Sequence, residues 1–189
     1  IDGMDDTNST GVVALDYTTD KLKLNFDAYA VRDKRDNGSP VMVSMGTIKQ
    51  VIAAPSGDSN FFPNIHGEQS SQYLGASGEY KFSPDLKVFG GAGYTEKEFS
   101  GHIFGTRMIV QNATTGAASS QYYRVGYQEH AVAANLGLEG KFDTGAIQHT
   151  LGLRADYLTR NYWQHSAATS NAFDTNLYNP IVDASEQMP

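Results

Sequence analysis

Six segments of the chain alternate apolar and polar residues with a period of two. Side chains two residues apart on a β-strand point the same way, so each segment predicts a strand with one continuous apolar face. The 3.6-residue period of amphipathic helices is almost absent. The six apolar sets are Val13, Leu15 and Tyr17; Leu22, Leu24, Phe26, Ala28 and Ala30; Leu74, Ala76, Tyr80 and Phe82; Leu86, Val88, Ala92 and Tyr94; Val132, Ala134, Leu136, Leu138 and Phe142; and Ile147, Leu151, Leu153, Ala155 and Tyr157.

The opposite parity of the same segments carries their charge. These residues are Asp16, Lys23, Asp27, Glu79, Lys81, Lys87, Glu139, Lys141, Arg154 and Asp156. One face of the predicted sheet is therefore apolar and the other polar. A soluble β-sandwich alternates in the same way, so this pattern alone does not indicate a membrane.

The predicted strands are joined alternately by very short and very long connections. The short ones are Thr18–Lys21, Ser83–Asp85 and Asp143–Gly145, and the long ones run from about 33 to 70, from about 99 to 121, and from about 161 onward. Compact soluble domains seldom use loops beyond ~12–15 residues. Outer-membrane barrels combine tight periplasmic turns with long extracellular loops. We therefore predict an all-β, antiparallel up-and-down meander, a partial transmembrane β-barrel with short periplasmic turns and long extracellular loops.

Aromatic residues mark both ends of the predicted strands. One set lies beside the short turns. In the other set, two rings lie about nine to twelve residues from a short turn, which matches the ~9–11 residues a tilted strand needs to cross the hydrocarbon, and Tyr127 lies 16 residues from its turn. The first set is Tyr17, Phe82 and Phe142, and the second is Tyr94, Tyr127 and Tyr157. We expect these rings to form two interfacial girdles. The apolar parity changes between Tyr127 and Val132, which predicts either a β-bulge near 129–131 or a break between two strands.

Composition excludes several other functions. The 189 residues include no Cys, and 14 Lys+Arg against 21 Asp+Glu give a net charge of −7. Disulfides and thiolate metal sites are therefore absent, and the acidic balance argues against a nucleic-acid partner. No apolar run reaches the ~20 residues of a membrane-spanning helix.

The polar residues show no pattern typical of catalysis or metal binding. No His pair has metal-ligand spacing, and no nucleophile elbow or phosphate loop is complete. We expect His66, His102 and His165 to be solvated in loops. Glu139 and Asp156 lie on neighbouring strands beside Lys141 and Arg154, and an ion-pair ladder explains them better than an acid–base pair. We expect no enzyme activity, no cofactor and no metal site.

Short motifs recur in order along most of the chain. They are GVVALDY at 11–17, LKLNFDAY at 22–29, GEYKF at 78–82 before Ser83–Asp85, GAGY at 91–94, GKFDTG at 140–145 with His149 four residues later, and NLYNP at 176–180. In this order and spacing they resemble the barrel of TonB-dependent siderophore receptors. The resemblance implies a barrel of about 22 strands filled by an N-terminal plug, which imports iron–siderophore complexes with energy from TonB.

The resemblance also implies that residues 1–189 are a single internal barrel segment, without the plug domain and the C-terminal strands. We expect the apolar face to contact the lipid bilayer of the Gram-negative outer membrane and the charged face to line a water-filled lumen. The implied partners are a ferric siderophore and TonB, the latter through the missing plug region. An isolated segment has two unpaired sheet edges, so we expect it to curl on itself or to self-associate through them.

Aromatic residues and an arginine in the predicted long loops are the candidate ligand contacts. These residues are Tyr122, Tyr123, Arg124, Tyr162 and Trp163. Arginine and aromatic rings suit an anionic catechol- or hydroxamate-bearing ferric chelate through charge and stacking. Packing of the long loops on themselves is the alternative explanation for these residues.

Two other classes of protein share some of these features. A small soluble, lipocalin-like β-barrel for an apolar ligand would place the apolar faces inward, but it needs about eight strands. An intact small outer-membrane barrel would end in an aromatic residue and start with a signal peptide, and this sequence shows neither.

Overall fold

The computed structural model describes residues 3–38, 42–46, 48–102 and 106–181, and all regular structure in these ranges is β-strand. The strands are β1 (Asp5–Thr18), β2 (Leu22–Asp36), β3 (Met42–Ser44), β4 (Gly67–Ser83), β5 (Leu86–His102), β6 (Arg107–Val110), β7 (Ala117–Gln121), β8 (Tyr123–Thr144), β9 (Ile147–Thr169) and β10 (Phe173–Asn176). None of the described residues forms a helix long and apolar enough to cross a membrane.

Six strands form the main sheet in the order β1-β2-β4-β5-β8-β9, with every neighbouring pair antiparallel. The three hairpin connections, β1 to β2, β4 to β5 and β8 to β9, contain only two or three residues. The predicted all-β, antiparallel class and the short turns are therefore confirmed. The strands are longer than predicted, because each continues beyond its apolar stripe; β8 and β9 have 22 and 23 residues.

The main sheet separates apolar and charged residues onto opposite faces, which we call the apolar face and the polar face. Leu24 lies next to Lys23 in β2, and Leu138 pairs directly with Leu153 while Glu139 pairs with Gly152. Residues directly opposite in a sheet share a face, and consecutive residues do not. The apolar face is open to its surroundings, since Leu136 and Leu153 are 63% and 73% exposed.

The main sheet is open at both edges. Among the described strands, β1 pairs with β2 alone and β9 with β8 alone. The expectation that the chain curls on itself is therefore wrong for the single chain. Within the described residues, β1 and β9 do not pair with each other.

A second, four-stranded sheet lies where the sequence predicted only long loops, in the order β10-β7-β6-β3. Its strands come from all three long connections, and β3 pairs with β6 in parallel. We call this sheet and its core the cap. The core of the cap consists of Phe62, Ile65, Met108, Val110, Ala118, Tyr122 and Leu177. Loop residues thus supply the main hydrophobic core of the described residues, and the main sheet contributes only isolated buried apolar residues such as Phe99 and Val125.

The change of parity in the fifth predicted segment has a different cause from the one expected. β8 is one continuous strand, and its register with β9 shifts between Gly126 and Tyr127, where His165 is the additional residue in β9. A Cβ atom at position 126 would lie 2.5 Å from the His165 ring, so any other residue there would require this ring to move. The bulge therefore belongs to β9, and Tyr127 keeps the parity of the polar face.

Candidate functional site

Three aromatic rings from neighbouring strands lie side by side on the polar face. Phe99 of β5 pairs directly with Tyr127 of β8, and their rings stack with centroids 5.5 Å apart and planes at 17°. The Tyr162 ring of β9 lies 5.6 Å beyond that of Tyr127. We call these three residues the aromatic ladder. Such contacts hold rings in fixed positions. Phe99 is buried at 8% exposure and Tyr162 is 51% exposed, so the accessible aromatic surface of the ladder is at its Tyr162 end.

Charged side chains border the aromatic ladder on its turn side. Across β5, β8 and β9 the register aligns Lys97, Glu129 and Tyr162. An Arg160 guanidinium nitrogen lies 2.5 Å from a Glu129 carboxylate oxygen. The Glu129 side chain is 18% exposed and that of Arg160 is 64% exposed. The hydrogen bond from Arg160 lowers the pKa of the Glu129 carboxyl, which lies above the apolar stripe. Two cations and one carboxylate thus surround the rings.

The five residues predicted to bind the ligand do not form one cluster. Tyr122 is buried in the cap, and Tyr123 and Arg124 are consecutive in β8, so they point to opposite faces. Their predicted location in loops is wrong for Tyr123 and Arg124, and likewise for Tyr162 and Trp163 in β9, because the strands continue above the apolar stripe. Only Tyr162 joins the aromatic ladder.

Trp163 lies on the face opposite to Tyr162. Its ring meets that of His130 edge to face, with centroids 5.3 Å apart, and the Tyr94 hydroxyl lies 3.1 Å from Nδ1 of His130. Together with Tyr157, Tyr94 borders the upper end of the apolar stripe, and the girdle itself stays a prediction. The same prediction is wrong for Tyr127, which belongs to the ladder.

Sequence reasoning missed most of this site. Phe99 and Tyr127 share the parity of Lys97 and Glu129, and this count would have placed all four on the polar face. This parity was not used because aromatic residues were assigned to the lipid-facing side. That assignment applies only to the part of a strand that lies within the hydrocarbon.

Below the ladder the polar face forms a hollow of about 620 Å³ floored by small residues. Tyr73, stacked on Tyr29, covers this floor at Gly75, where an added Cβ would lie 2.0 Å from the Tyr73 hydroxyl oxygen. Its rim includes Arg154 and Asp156, which form an ion pair at 2.7 Å. The open surface of the hollow therefore combines backbone atoms exposed at glycine positions with charged side chains.

The expected ion-pair ladder exists with different partners. Lys87 lies 3.3 Å from Glu79 and 3.5 Å from Glu139. Glu139 is opposite Gly152, four positions from the residue opposite Asp156, which separates the two carboxylates by about 13 Å of strand. An acid–base pair between them is thus excluded by register.

Not all of the histidines that were expected to be solvated are exposed. His102, expected to be solvated, is buried at the end of β5, where its backbone N–H donates to the His66 carbonyl at 2.8 Å and the two rings meet edge to face. Within the described ranges, no group of three or more His, Asp or Glu side chains is arranged to hold a metal ion.

Two known proteins are similar to most of this chain. The ferrichrome receptor FcuA of Yersinia enterocolitica is 29% identical over 178 residues, which is 92% of this chain and 22% of FcuA. The crystal structure of BauA, the ferric preacinetobactin receptor of Acinetobacter baumannii, matches with a TM-score of 0.78 and 21% identity, over 96% of this chain and 27% of BauA. No protein-family model matches the chain.

These similarities confirm the predicted class. Both relatives are receptors, which favours a receptor over an enzyme and over the lipocalin-like alternative. The chain is therefore similar to siderophore receptors, as the resemblance in its sequence motifs predicted. It spans only about a quarter of the length of either relative, 22% of FcuA and 27% of BauA.

Proposed function

We propose that this chain is a segment of the barrel wall of an outer-membrane receptor that imports iron–siderophore complexes, with TonB acting through a plug region outside the segment. The aromatic ladder and its two cations contact the ferric siderophore, and the apolar face contacts lipid. The observation that supports this most directly is the position of the ladder on the polar face, near the strand ends from which the long connections that form the cap leave.

The chemistry of the ladder suits a ferric chelate. Ring faces stack on flat ligand groups and attract positive charge, and lysine and arginine attract the negative oxygens of a chelate. Arg160 is 64% exposed and already held by Glu129, so its remaining N–H donors are preorganised at the surface.

The apolar face has the properties of a lipid contact. Its stripes begin beside the short turns at Tyr17, Phe82 and Phe142 and end near Tyr94 and Tyr157, with exposed apolar side chains between. From Leu86 to Tyr94 a tilted strand rises roughly 20 Å, close to the ~25 Å apolar band of outer-membrane barrels.

The experiment uses the full-length receptor in an iron-starved bacterial strain that makes no siderophore. Growth and ⁵⁵Fe uptake are measured with hydroxamate, catecholate and mixed ferric chelates, including ferrichrome and ferric preacinetobactin. We expect at least one chelate to restore growth. Growth with none of these classes would contradict the proposed function.

A matched pair of variants then tests the ladder. Arg160→Gln removes a charged hydrogen-bond donor worth about 1.5–3 kcal/mol, so we expect affinity for the active chelate to fall roughly 10- to 100-fold. Arg154→Gln, on the same strand and face but paired with Asp156 below the ladder, is the control and should change affinity less than threefold. Equal effects of the two substitutions on affinity would contradict a role of the ladder in binding the chelate.

A further inference from the structure

Tyr122 is the one residue between β7, a strand of the cap, and β8, a strand of the main sheet. β7 ends at Gln121 and β8 begins at Tyr123. The Tyr122 side chain is 1% exposed, although the sequence suggested a residue that faces the ligand. A large aromatic side chain is therefore fully buried at the junction of the two sheets.

The Tyr122 ring, which itself belongs to the second long connection, contacts residues from the other two. It stacks on Phe173 with centroids 5.4 Å apart and planes at 27°, and it meets Phe62 edge to face at 5.4 Å. It also lies 6.0 Å from the ring of His102, the last residue of β5. One side chain thus connects the cap core to the end of a main-sheet strand.

Backbone hydrogen bonds fix the same junction. The Tyr122 N–H donates to Oγ of Ser170 at 3.0 Å, and the Ser170 N–H donates to the Tyr122 carbonyl at 3.1 Å. On the other side, the Tyr123 N–H donates to Oγ1 of Thr106 at 2.9 Å. Two of the long connections are therefore fastened to the first residues of β8.

The junction leads directly to the aromatic ladder. His102 is three residues beyond Phe99 on β5, and Tyr122 is five residues before Tyr127 on β8. Between these two points Val125 is buried. Val125 pairs with Gly101, the neighbour of His102, and lies two residues before Tyr127 on the same face. Buried residues therefore lie between the cap core and the stacked rings, and close-packed interiors transmit displacement between neighbours.

We propose that Tyr122 is a positioning residue for the ladder: its ring locks the cap onto the main sheet and thereby fixes the rings that meet the ferric siderophore. This inference rests on the proposed function. Tyr122 itself does not touch the ligand. Its loss leaves the strand pairs of the main sheet in place but removes the ring that three connections share.

The chain contains no Cys, which allows a direct rescue experiment. Ser119 of β7 pairs with Asp174 of β10. Antiparallel partners have Cα atoms about 4.5–5.5 Å apart, within the range that a disulfide spans, so Ser119→Cys with Asp174→Cys joins two of the connections that Tyr122 holds. Neither position lies in the aromatic ladder or beside it.

The affinity of the full-length receptor for its active ferric chelate is measured in four forms. We expect Tyr122→Phe, which keeps the ring, to bind within threefold of the unmodified receptor, and Tyr122→Ala to bind at least tenfold more weakly. Oxidising the cysteine pair in the Tyr122→Ala background should restore affinity to within threefold, and reduction should abolish the rescue. Tyr122→Leu replaces Tyr122→Ala if the alanine variant does not fold.

Two results would overturn the inference while leaving the proposed function intact. One is unchanged affinity in Tyr122→Ala or Tyr122→Leu, and the other is a loss that the oxidised disulfide does not restore. A receptor that binds no ferric chelate in unmodified form would instead contradict the proposed function, so the two failures are distinguishable.

Discussion

Arginine at position 136 tests whether the apolar face contacts hydrocarbon. Leu136 is 63% exposed, and its direct partners on this face are Gly90 and Ala155. Neither partner offers a charge or a hydrogen-bond acceptor in its side chain. The position is four residues from Val132 and six from Phe142, which places it roughly 9 Å and 14 Å from the two ends of the stripe on a strand tilted by about 45°. Leu136 therefore lies near the middle of the proposed lipid-facing band.

The expected cost follows from that depth. Arginine at the midplane of an outer-membrane barrel costs ~2–4 kcal/mol on the lipid side, which lowers the folding equilibrium constant roughly 30- to 700-fold. Asn135→Arg is the matched control, because position 135 is on the polar face and pairs with Asp156. We expect this control to change stability by about 0.5 kcal/mol or less.

The assay is urea unfolding and refolding of the full-length receptor in phosphatidylcholine vesicles. Leu136→Arg should move the transition to lower urea concentration, and Asn135→Arg should leave it in place. Equal shifts for both variants, or no shift for Leu136→Arg, would refute the argument that this face meets lipid.

Three further predictions concern the packing. Gly137→Ala should destabilise the main sheet by about 1–3 kcal/mol in a urea titration, because its Cβ would lie 2.3 Å from a phenylalanine ring of β5, whereas Gly152→Ala, with open space around it, should not. Phe62→Ala should lower the stability of the cap by about 3–5 kcal/mol. Hydrogen exchange should then become faster in β6 and β7 and stay unchanged in β8 from position 132 to the β8–β9 turn. The lowered pKa of Glu129 stabilises the fold above its ordinary value of 4.5 and loses this effect as pH falls, so the stability difference between Glu129→Gln and the parent should shrink from pH 6 to pH 3.

The two faces of the main sheet were predictable because alternation is a local property. A strand that borders hydrocarbon on one side and water on the other places every second residue in each environment, and the sequence records this residue by residue. Leu24, Leu138 and Leu153 follow that rule, and the register of the structure agrees with it.

The rule fails above the apolar stripe. In the proposed receptor neither face contacts hydrocarbon there, so hydrophobicity no longer indicates which side a ring occupies. Tyr127 was assigned to the lipid side for this reason, although its parity places it with Glu129 on the polar face. The ladder was missed because it depends on three strands meeting in register, which the pattern of one segment does not contain.

The cap could not be predicted for a different reason. Tyr122, Phe62 and Phe173 are far apart in sequence and come from three connections, and their burial depends on a fold that brings those connections together. Isolated aromatic residues in a long polar stretch indicate a ligand contact and a packed loop equally well.

The central claim is that one face of the main sheet touches lipid and the other does not. The most direct measurement is a spin-label scan of positions 132 to 139 in the Cys-free chain within the membrane-inserted receptor, comparing collision with dissolved oxygen and with a water-soluble nickel chelate. We predict high oxygen collision at the even positions and low oxygen collision at the odd ones. Uniform values along the segment, or oxygen maxima at the odd positions, would contradict this account of the protein.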